Sequence, residues 1–290
     1  MKVSGFTFIR NATVLGYPYI DSLKSLLMLC DEVVVAVGDS VDDTLEQIQK
    51  IDDPRLRIIS TTWNEKMQDR GYVYAQQKMI AQFNCTGDWV FYLEGDEIIH
   101  EEDIPLIRNQ MQKYLDKKNI EALVFDYYHF YGNSDHIAIS PRWYRQAPRI
   151  LRNTVRSWAP DGLFWVIMNE NKKGRYPNAA LVGCHLYHYG HVRSVIAMNE
   201  KNKKVEQFWG NTPSEFKGYG DVDPKSLTKF LGTHPKIVEN WLTTSSEKKF
   251  ILNKNHILTT REKRHRVMMF LGKFLGNPNW TKKHFTLIKD

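Results

Sequence analysis

Strand and helix patterns alternate along the first 128 residues of this 290-residue chain. Runs rich in β-branched and aromatic residues predict strands at 3–9, 32–37, 56–60, 88–93 and 122–128. Helical spacing of apolar residues predicts helices between them, at 17–29, 44–50, 70–83 and 103–115. Because strands that alternate with helices pair in parallel, this order predicts an α/β fold with a mostly parallel sheet flanked by helices. In such sheets ligands bind beyond the carboxyl ends of the strands.

The second half of the chain is less regular. Residues 129–190 contain many aromatic side chains and several short strand patterns, and helix patterns return from about residue 193. Thr259 and Glu262 have the spacing of a capping box, which predicts a helix from there to about Leu275. The apolar residues of this helix form one stripe, made of Val267, Phe270, Leu271 and Phe274.

The positive charge of the chain is concentrated in its C-terminal part. The net charge is +7, yet residues 233–290 alone hold 12 Lys and Arg against 4 Asp and Glu, which gives this segment +8. We therefore expect a main domain over 1–232 and a basic helical appendage over 233–290. A basic amphipathic helix is typical of contact with an anionic membrane, a nucleic acid or an anionic substrate, and it also fits a merely solvated face. No nucleic-acid-binding motif accompanies it.

Cysteine usage and hydropathy favour the reducing interior of a cell. Cys30, Cys85 and Cys184 are odd in number and widely spaced, without metal-ligand spacing. No apolar run reaches the ~18 residues that span a bilayer. The first residues, MKVSGFTFIRN, have the pattern of a strand rather than of a signal peptide. We therefore expect a cytoplasmic protein, either free or held at the inner face of the membrane by its basic appendage.

Two carboxylates follow the strand predicted at 88–93. In Leu93-Glu94-Gly95-Asp96-Glu97, strand periodicity would place Glu94 and Asp96 on one face. Such a pair can share Mg²⁺ or Mn²⁺, which prefer oxygen ligands and bridge to phosphates, and Gly95 leaves room for a ligand. Without a cation the two would repel each other, so neutralising Asp96 is predicted to leave stability unchanged or to raise it. The alternative is an acidic turn that caps the helix beginning near Glu102.

Several segments in order resemble glycosyltransferase family 2, and within it the group that contains lipopolysaccharide-core transferases. The resemblance extends over about residues 3–205. It is carried by the order and spacing of five short motifs, namely Phe8-Ile9-Arg10-Asn11; Asp31-Glu32-Val33-Val34-Val35 with Gly38-Asp39-Ser40-Val41-Asp42-Asp43-Thr44; Arg70-Gly71, Ala75-Gln76-Gln77-Lys78 and Gly87-Asp88-Trp89; Leu93 to Glu97 in the place of the family's DxD motif; and His188-Tyr189-Gly190-His191-Val192-Arg193.

The resemblance implies a GT-A, Rossmann-like nucleotide-sugar-binding domain over 1–232 that transfers a sugar to a glycan or lipid-linked acceptor of the cell envelope. Asp96 and Glu94 are then the expected ligands of Mn²⁺ or Mg²⁺, with His188 as a third ligand and His185 and His191 as its rivals. The metal and nearby cations would stabilise the charge that grows on the leaving diphosphate. Side chains expected at the nucleotide-sugar are Arg10, Arg70, Lys78 and, nearest the base, Asp39.

The resemblance also implies an enzyme that inverts the configuration at the anomeric carbon. Such a reaction requires a carboxylate that deprotonates the acceptor hydroxyl. Asp161, in Trp158-Ala159-Pro160-Asp161-Gly162, is the first choice and Glu170 the second, although Pro-Asp-Gly is also an ordinary turn. The aromatic side chains that could stack on acceptor sugars, or else fill the core, are Trp143, Tyr144, Trp158, Phe164 and Trp165.

The chain departs from the family pattern at three places, which bear on the choice of nucleotide. Ala12 stands where the family has Glu, Val37 or Gly38 stands where it has Asp, and Glu94 is the first acid of the DxD motif. Two other functions stay open. A sugar-phosphate nucleotidyltransferase would need a glycine-rich loop after the first strand, which is missing here. A non-catalytic anionic-ligand-binding protein would rely on the basic tail.

Overall fold

The computed structural model describes residues 1–171, 173–244, 246–247, 250–275 and 283–288. The first part of the chain forms β1 (Val3–Ile9), α1 (Tyr19–Leu27), β2 (Glu32–Gly38), α2 (Thr44–Gln49), β3 (Leu56–Thr61), α3 (Tyr72–Phe83), β4 (Trp89–Tyr92), β5 (Glu97–Ile99), α4 (Ile104–Lys113) and β6 (Ala122–Tyr131). The second part forms β7 (Asn133–Ala138), β8 (Gln146–Arg152), β9 (Ser157–Trp158), β10 (Val166–Met168), β11 (Gly174–Arg175), β12 (Asn178–His191), α5 (Val195–Val205), β13 (Leu227–Lys229), α6 (Glu239–Thr244), α7 (Thr260–Phe274) and β14 (Thr286–Leu287).

The predicted α/β fold class is confirmed. Strands β4, β1, β2 and β3 lie side by side and all pair in parallel. Alternate side chains of the sheet enter two separate cores, because successive residues of a strand point to opposite faces. Val33 and Val35 join the core that contains α1 and α4, whereas Val34 and Ala36 join the core that contains α3. Helices therefore cover both faces, as the alternation predicts.

Beyond β4 the sheet becomes mixed. Strand β8 runs antiparallel to both β4 and β6, and β12 pairs parallel with β6 and antiparallel with the short β5. The 14-residue β12 thereby extends from the beginning of β6 to β5, next to the turn after β4. It delivers His188 beside Glu97 in the register with β5. Strands β9, β10 and β11 form a separate small sheet.

Two parts of the segment after residue 232 pack on the sheet, one near the beginning of the segment and one near its end. Trp241 of α6 and Val238 are buried against Phe130 and Tyr189. Strand β14 pairs with the beginning of β12. A boundary at 232 between a domain and an appendage stays a prediction.

The predicted capping box and the C-terminal helix are confirmed. The Thr259 side chain accepts from the Glu262 backbone N–H and the Glu262 side chain accepts from the Thr259 backbone N–H. Arg266 anchors α7 to the loop before β13 through Asp223, at 2.8 Å. The apolar stripe is largely exposed: Val267 by 59%, Phe270 by 61% and Phe274 by 75%. Within the part of the chain that the structure describes, no helix has the length and apolar character needed to cross a bilayer.

Candidate functional site

A cavity of about 660 Å³ opens at the carboxyl ends of the parallel strands. The residues that follow β1 and β4, 10–12 and 94–96, form its floor. Helix α5 and the short 3-10 turn after it, 206–209, form one wall, and the loop around Asp161 contributes to another. The cavity therefore occupies the place where the strand order predicts a ligand.

Glu94, Asp96 and His188 lie close together in the lining of this cavity. Each offers one ligand atom, and these atoms all lie within 4.8 Å of one another. The His188 Nε2 atom is 3.5 Å from Asp96 Oδ1. Bonds of about 2.1 Å to one metal ion bring ligand atoms to within about 4.2 Å of each other, so a bound ion would draw this set slightly inward. The two carboxylates suit Mn²⁺ or Mg²⁺, and the imidazole, a ligand typical of transition metals, favours Mn²⁺ of the two.

The two acids are neighbours for a reason other than strand periodicity. Strand β4 ends at Tyr92, and Glu94 and Asp96 lie in the tight turn that leads into β5. The turn is fixed to β12 because the Tyr189 backbone N–H donates to the Asp96 carbonyl, at 2.8 Å. The alternative role of this turn as a helix cap is not seen, because the His100 side chain accepts from the Glu102 backbone N–H instead.

Gly190 is required by the close approach of β12 to the acidic turn. A Cβ atom at this position would lie 2.7 Å from His188 Nε2 and 2.9 Å from Asp96 Oδ2. Both distances are shorter than real Cβ contacts, and both atoms belong to side chains of the proposed ligand set. The glycine in the His-Tyr-Gly segment is thus explained by the space that two ligand side chains occupy.

Two buried arginines neutralise the carboxylates. Arg149 Nη2 donates to Glu94 Oε1 at 2.8 Å and to Glu97 Oε1 at 2.7 Å. Arg193, which is fully buried, donates to Asp96 Oδ2 at 2.9 Å. The acidic pair is therefore not left to repel itself, and the expectation that neutralising Asp96 leaves stability unchanged or raises it is revised.

Burial and charge act in opposite directions on the ionisable groups of this site. Desolvation alone would raise the pKa of Asp96, but His188 and Arg193 hold that pKa well below its usual range. Desolvation and the neighbouring Glu97 raise the pKa of Glu94 in spite of Arg149. Desolvation would lower the pKa of His188, and the Asp96 carboxylate more than offsets this, so the pKa is raised. Asp96 is thus the carboxylate most firmly held in its charged form.

Among the residues predicted to act in catalysis, donor binding or metal binding, the structure places Arg10, Glu94, Asp96, Asp161 and His188 at the cavity. Asp39 lies just outside its lining, 3.5 Å from Arg10 Nε. Of the rivals to His188, His191 lines the cavity, while His185 stacks on Tyr128 at 4.0 Å and does not. Trp143 and Tyr144 line it as well.

The remaining predicted residues lie elsewhere. Lys78 is completely buried, and its ammonium group lies over the rings of Tyr92 and Trp165 and donates to the Gly162 carbonyl at 2.9 Å. It therefore supports the loop that carries Asp161 and does not reach the cavity. Arg70 and Glu170 are exposed and do not line it. Three aromatic side chains are also outside the lining, namely Trp158, Phe164 and Trp165.

Several cavity residues were not predicted from the sequence. Lys201 and Lys204 project from α5, three residues apart on one helical face, and they add positive charge near the acidic turn. Trp63 and Tyr74 form an aromatic wall, with ring centroids 5.3 Å apart and Arg10 over the Trp63 ring. The spacing of the two lysines is a signal that the sequence contains, whereas nothing local to Trp63 indicates its place.

Comparison with known proteins points to one family. The profile described as glycosyl transferase family 2 matches residues 17–168. An uncharacterized glycosyltransferase of Rickettsia conorii is 30% identical over 101 residues, which are 35% of this chain and 31% of that protein. One of Mycoplasma genitalium is 29% identical over 99 residues, 33% of this chain and 31% of that protein. The matches thus extend over about a third of the length of these curated relatives.

Solved structures show more distant similarity. S. aureus TarS 1-349 is 18% identical, with 53% of this chain and 47% of that chain covered and a TM-score of 0.36. Glucosyl-3-phosphoglycerate synthase from Mycobacterium tuberculosis, in complex with Mg²⁺ and uridine-diphosphate, is 21% identical, with 43% of each chain covered and a TM-score of 0.29.

Proposed function

The chain belongs to glycosyltransferase family 2, and from this premise we propose that it transfers a sugar from a nucleotide-sugar donor to a hydroxyl acceptor in a metal-dependent, inverting reaction. The observation that carries the proposal is the convergence of Glu94, Asp96 and His188 at one cavity beyond the parallel strands. Family membership favours this function over sugar-phosphate nucleotidyl transfer and over non-catalytic binding of anionic ligands.

The donor diphosphate is assigned to the cationic side of the cavity. Glu94, Asp96 and His188 would hold Mn²⁺ or Mg²⁺, which when bound supplies positive charge to the diphosphate. Lys201, Lys204 and Arg10 line the same cavity and add positive charge for the leaving group. Trp63 and Tyr74, whose rings meet edge to face, offer an apolar wall for the nucleoside, and Asp39 lies nearby beside Arg10.

Asp161 is assigned the role of base. It lines the cavity on a loop that is fixed by the Lys78–Gly162 hydrogen bond and by its own acceptance of the Leu163 backbone N–H at 2.9 Å. Its carboxylate would take the proton of the acceptor hydroxyl while the acceptor oxygen bonds to the anomeric carbon. The bond from that carbon to the diphosphate breaks on the opposite face, which inverts the configuration. Glu170, which does not line the cavity, is the less suitable carboxylate.

Thermal denaturation with nucleotide-sugars tests the proposal. UDP-, GDP-, CMP- and dTDP-sugars are added with and without Mn²⁺, and one donor is expected to raise the melting temperature in a Mn²⁺-dependent manner. At ~100 times its dissociation constant a ligand stabilises by ~2.7 kcal/mol. Asp161→Asn should keep this stabilisation and lose acceptor-dependent transfer. Stabilisation by no donor, or full transfer by Asp161→Asn, would contradict the donor site or the base, respectively.

We further propose that the acceptor is a glycan or lipid-linked molecule of the cell envelope and that α7 lies on an anionic membrane at its cytoplasmic face. The exposed stripe of Val267, Phe270 and Phe274 continues from a basic first turn that contains Lys263 and Arg264. Such a helix can insert its apolar face among lipid tails while its cations meet anionic headgroups.

Liposome flotation tests the membrane contact. The full chain is expected to float with vesicles that contain phosphatidylserine and to be released by high salt, because headgroup attraction is screened. The double variant Phe270→Ser/Phe274→Ser should lose most of the floating fraction. Leu231→Ser removes an apolar residue elsewhere that is even more exposed, by 87%, and should float like the unmodified chain. Equal flotation of all three proteins would contradict a role for α7.

A further inference from the structure

His129 lies directly behind His188 and does not line the cavity. The two residues are register partners on the parallel strands β6 and β12, so their side chains emerge side by side. Their Nδ1 atoms are 2.8 Å apart, which is a hydrogen-bond distance. His129 is 2% exposed, and nothing assigned to the sugar-transfer reaction so far uses it.

The hydrogen-bond partners determine which ring nitrogens carry protons. The other nitrogen of His129, Nε2, lies 2.7 Å from the Tyr144 carbonyl oxygen, which can only accept, so Nε2–H is the donor. A neutral His129 then has a lone pair at Nδ1. Since two nitrogens that share one hydrogen bond need one donor and one acceptor, His188 must donate from Nδ1–H. Its Nε2 atom, which faces Asp96, is left for a metal ion.

The ring of His129 is held from several sides, so this arrangement cannot reverse by rotation. It stacks on Tyr127 with centroids 5.2 Å apart and meets the Tyr144 ring edge-on at 4.5 Å. Trp143 packs against it at 5.1 Å. A charged His129 is disfavoured as well, because among the described residues no carboxylate is hydrogen-bonded to this buried ring.

We propose that His129 is a positioning residue that fixes the tautomer and the ring orientation of His188, so that the Nε2 lone pair of His188 points at the metal position. The inference rests on the proposed metal-dependent function. A metal-bound imidazole commonly donates its second ring N–H to a fixed acceptor, and such partners contribute 10–100-fold to metal affinity. Here that acceptor is another histidine, oriented in turn by a main-chain carbonyl.

Nuclear magnetic resonance of protein with ¹⁵N-labelled histidine tests the tautomers without any substitution. In the metal-free protein, His188 should carry a proton on Nδ1, while His129 should carry one on Nε2 and none on Nδ1. His129→Asn and His188→Ala assign the signals. A His188 ring without a proton on Nδ1, or a His129 ring with one, would overturn the inference.

Isothermal titration with Mn²⁺ tests the consequence for binding. His129→Leu should weaken Mn²⁺ binding by about 10–100-fold. His129→Asn should stay close to the unmodified protein, because its amide oxygen occupies the place of Nδ1 and can still accept from His188. In a His188→Ala background, His129→Leu should have no further effect. Unchanged affinity of folded His129→Leu would overturn the inference, whereas a wild-type protein that binds no Mn²⁺ would contradict the proposed function itself.

Discussion

Asp96→Asn is expected to reduce sugar transfer by about a thousandfold or more, since the lost interaction stabilises the departing diphosphate by several kcal/mol. Asparagine keeps the shape of the side chain and can still accept from Arg193. It removes the negative charge on the ligand atom that faces His188, and with it the strongest hold on a divalent cation. The measurement is the transfer rate with saturating Mn²⁺ and donor.

The same substitution is expected to destabilise the protein. Arg193 is fully buried, and the folded state holds the pKa of Asp96 well below its usual range, chiefly because the His188 and Arg193 charges outweigh desolvation. Leaving the Arg193 charge without its carboxylate should lower the free energy of unfolding by about 3 kcal/mol. This is the low end of the loss for a broken buried ion pair, because the hydrogen bond to Arg193 survives. In a chain of this size that lowers the melting temperature by several degrees.

Asp116→Asn is the matched control, because Asp116 is exposed and does not line the cavity. This variant should keep the melting temperature and the transfer rate of the unmodified protein. Near-normal transfer by a folded Asp96→Asn protein would exclude the metal role of Asp96. A raised melting temperature would instead show that repulsion from Glu94 outweighs the attraction to Arg193.

The stability of the acidic turn depends on partners that the local sequence does not predict. The order of strands and helices was predictable because hydrophobic periodicity is a local property, and β1, β2 and β3 lie where the pattern places them. The partners of the acidic turn are not local. Arg149 and Arg193 are 55 and 97 residues away from the carboxylates that they bind. Which arginine meets which acid depends on the pairing of β4 with β8 and on the path of β12.

The buried position of Lys78 could not be predicted from local sequence either. Its sequence context suggested a cation at the donor, and a lysine on the first turns of a helix beyond a sheet is a reasonable ligand. The small sheet of β9, β10 and β11 brings Trp165 over the Tyr92 ring, and this pair encloses the ammonium group. The position of Lys78 therefore depends on packing between segments some 80 residues apart, which no local pattern encodes.

Gly190→Ala is expected to weaken Mn²⁺ binding by about a hundredfold or more. This is the upper end of the loss in metal affinity that follows when a group supporting a metal ligand is displaced. The added methyl group would overlap both His188 Nε2 and Asp96 Oδ2. Neither atom can withdraw freely. His188 is backed by His129, and Asp96 is tied to Arg193. One ligand must therefore leave its place, and transfer should fall with the loss of metal.

Gly95→Ala separates this steric effect from a general intolerance of the site to added side chains. Among the residues that the structure describes, a Cβ atom at Gly95 would meet only Tyr19 Cβ, at 3.5 Å, which is an ordinary contact. Without donor, Gly95→Ala should therefore bind Mn²⁺ like the unmodified protein. Titration of both variants with Mn²⁺, beside melting curves, compares them directly. If Gly190→Ala kept its Mn²⁺ affinity while folded, His188 and Asp96 could not be joint ligands in the arrangement seen here, because the methyl group would overlap atoms of both side chains.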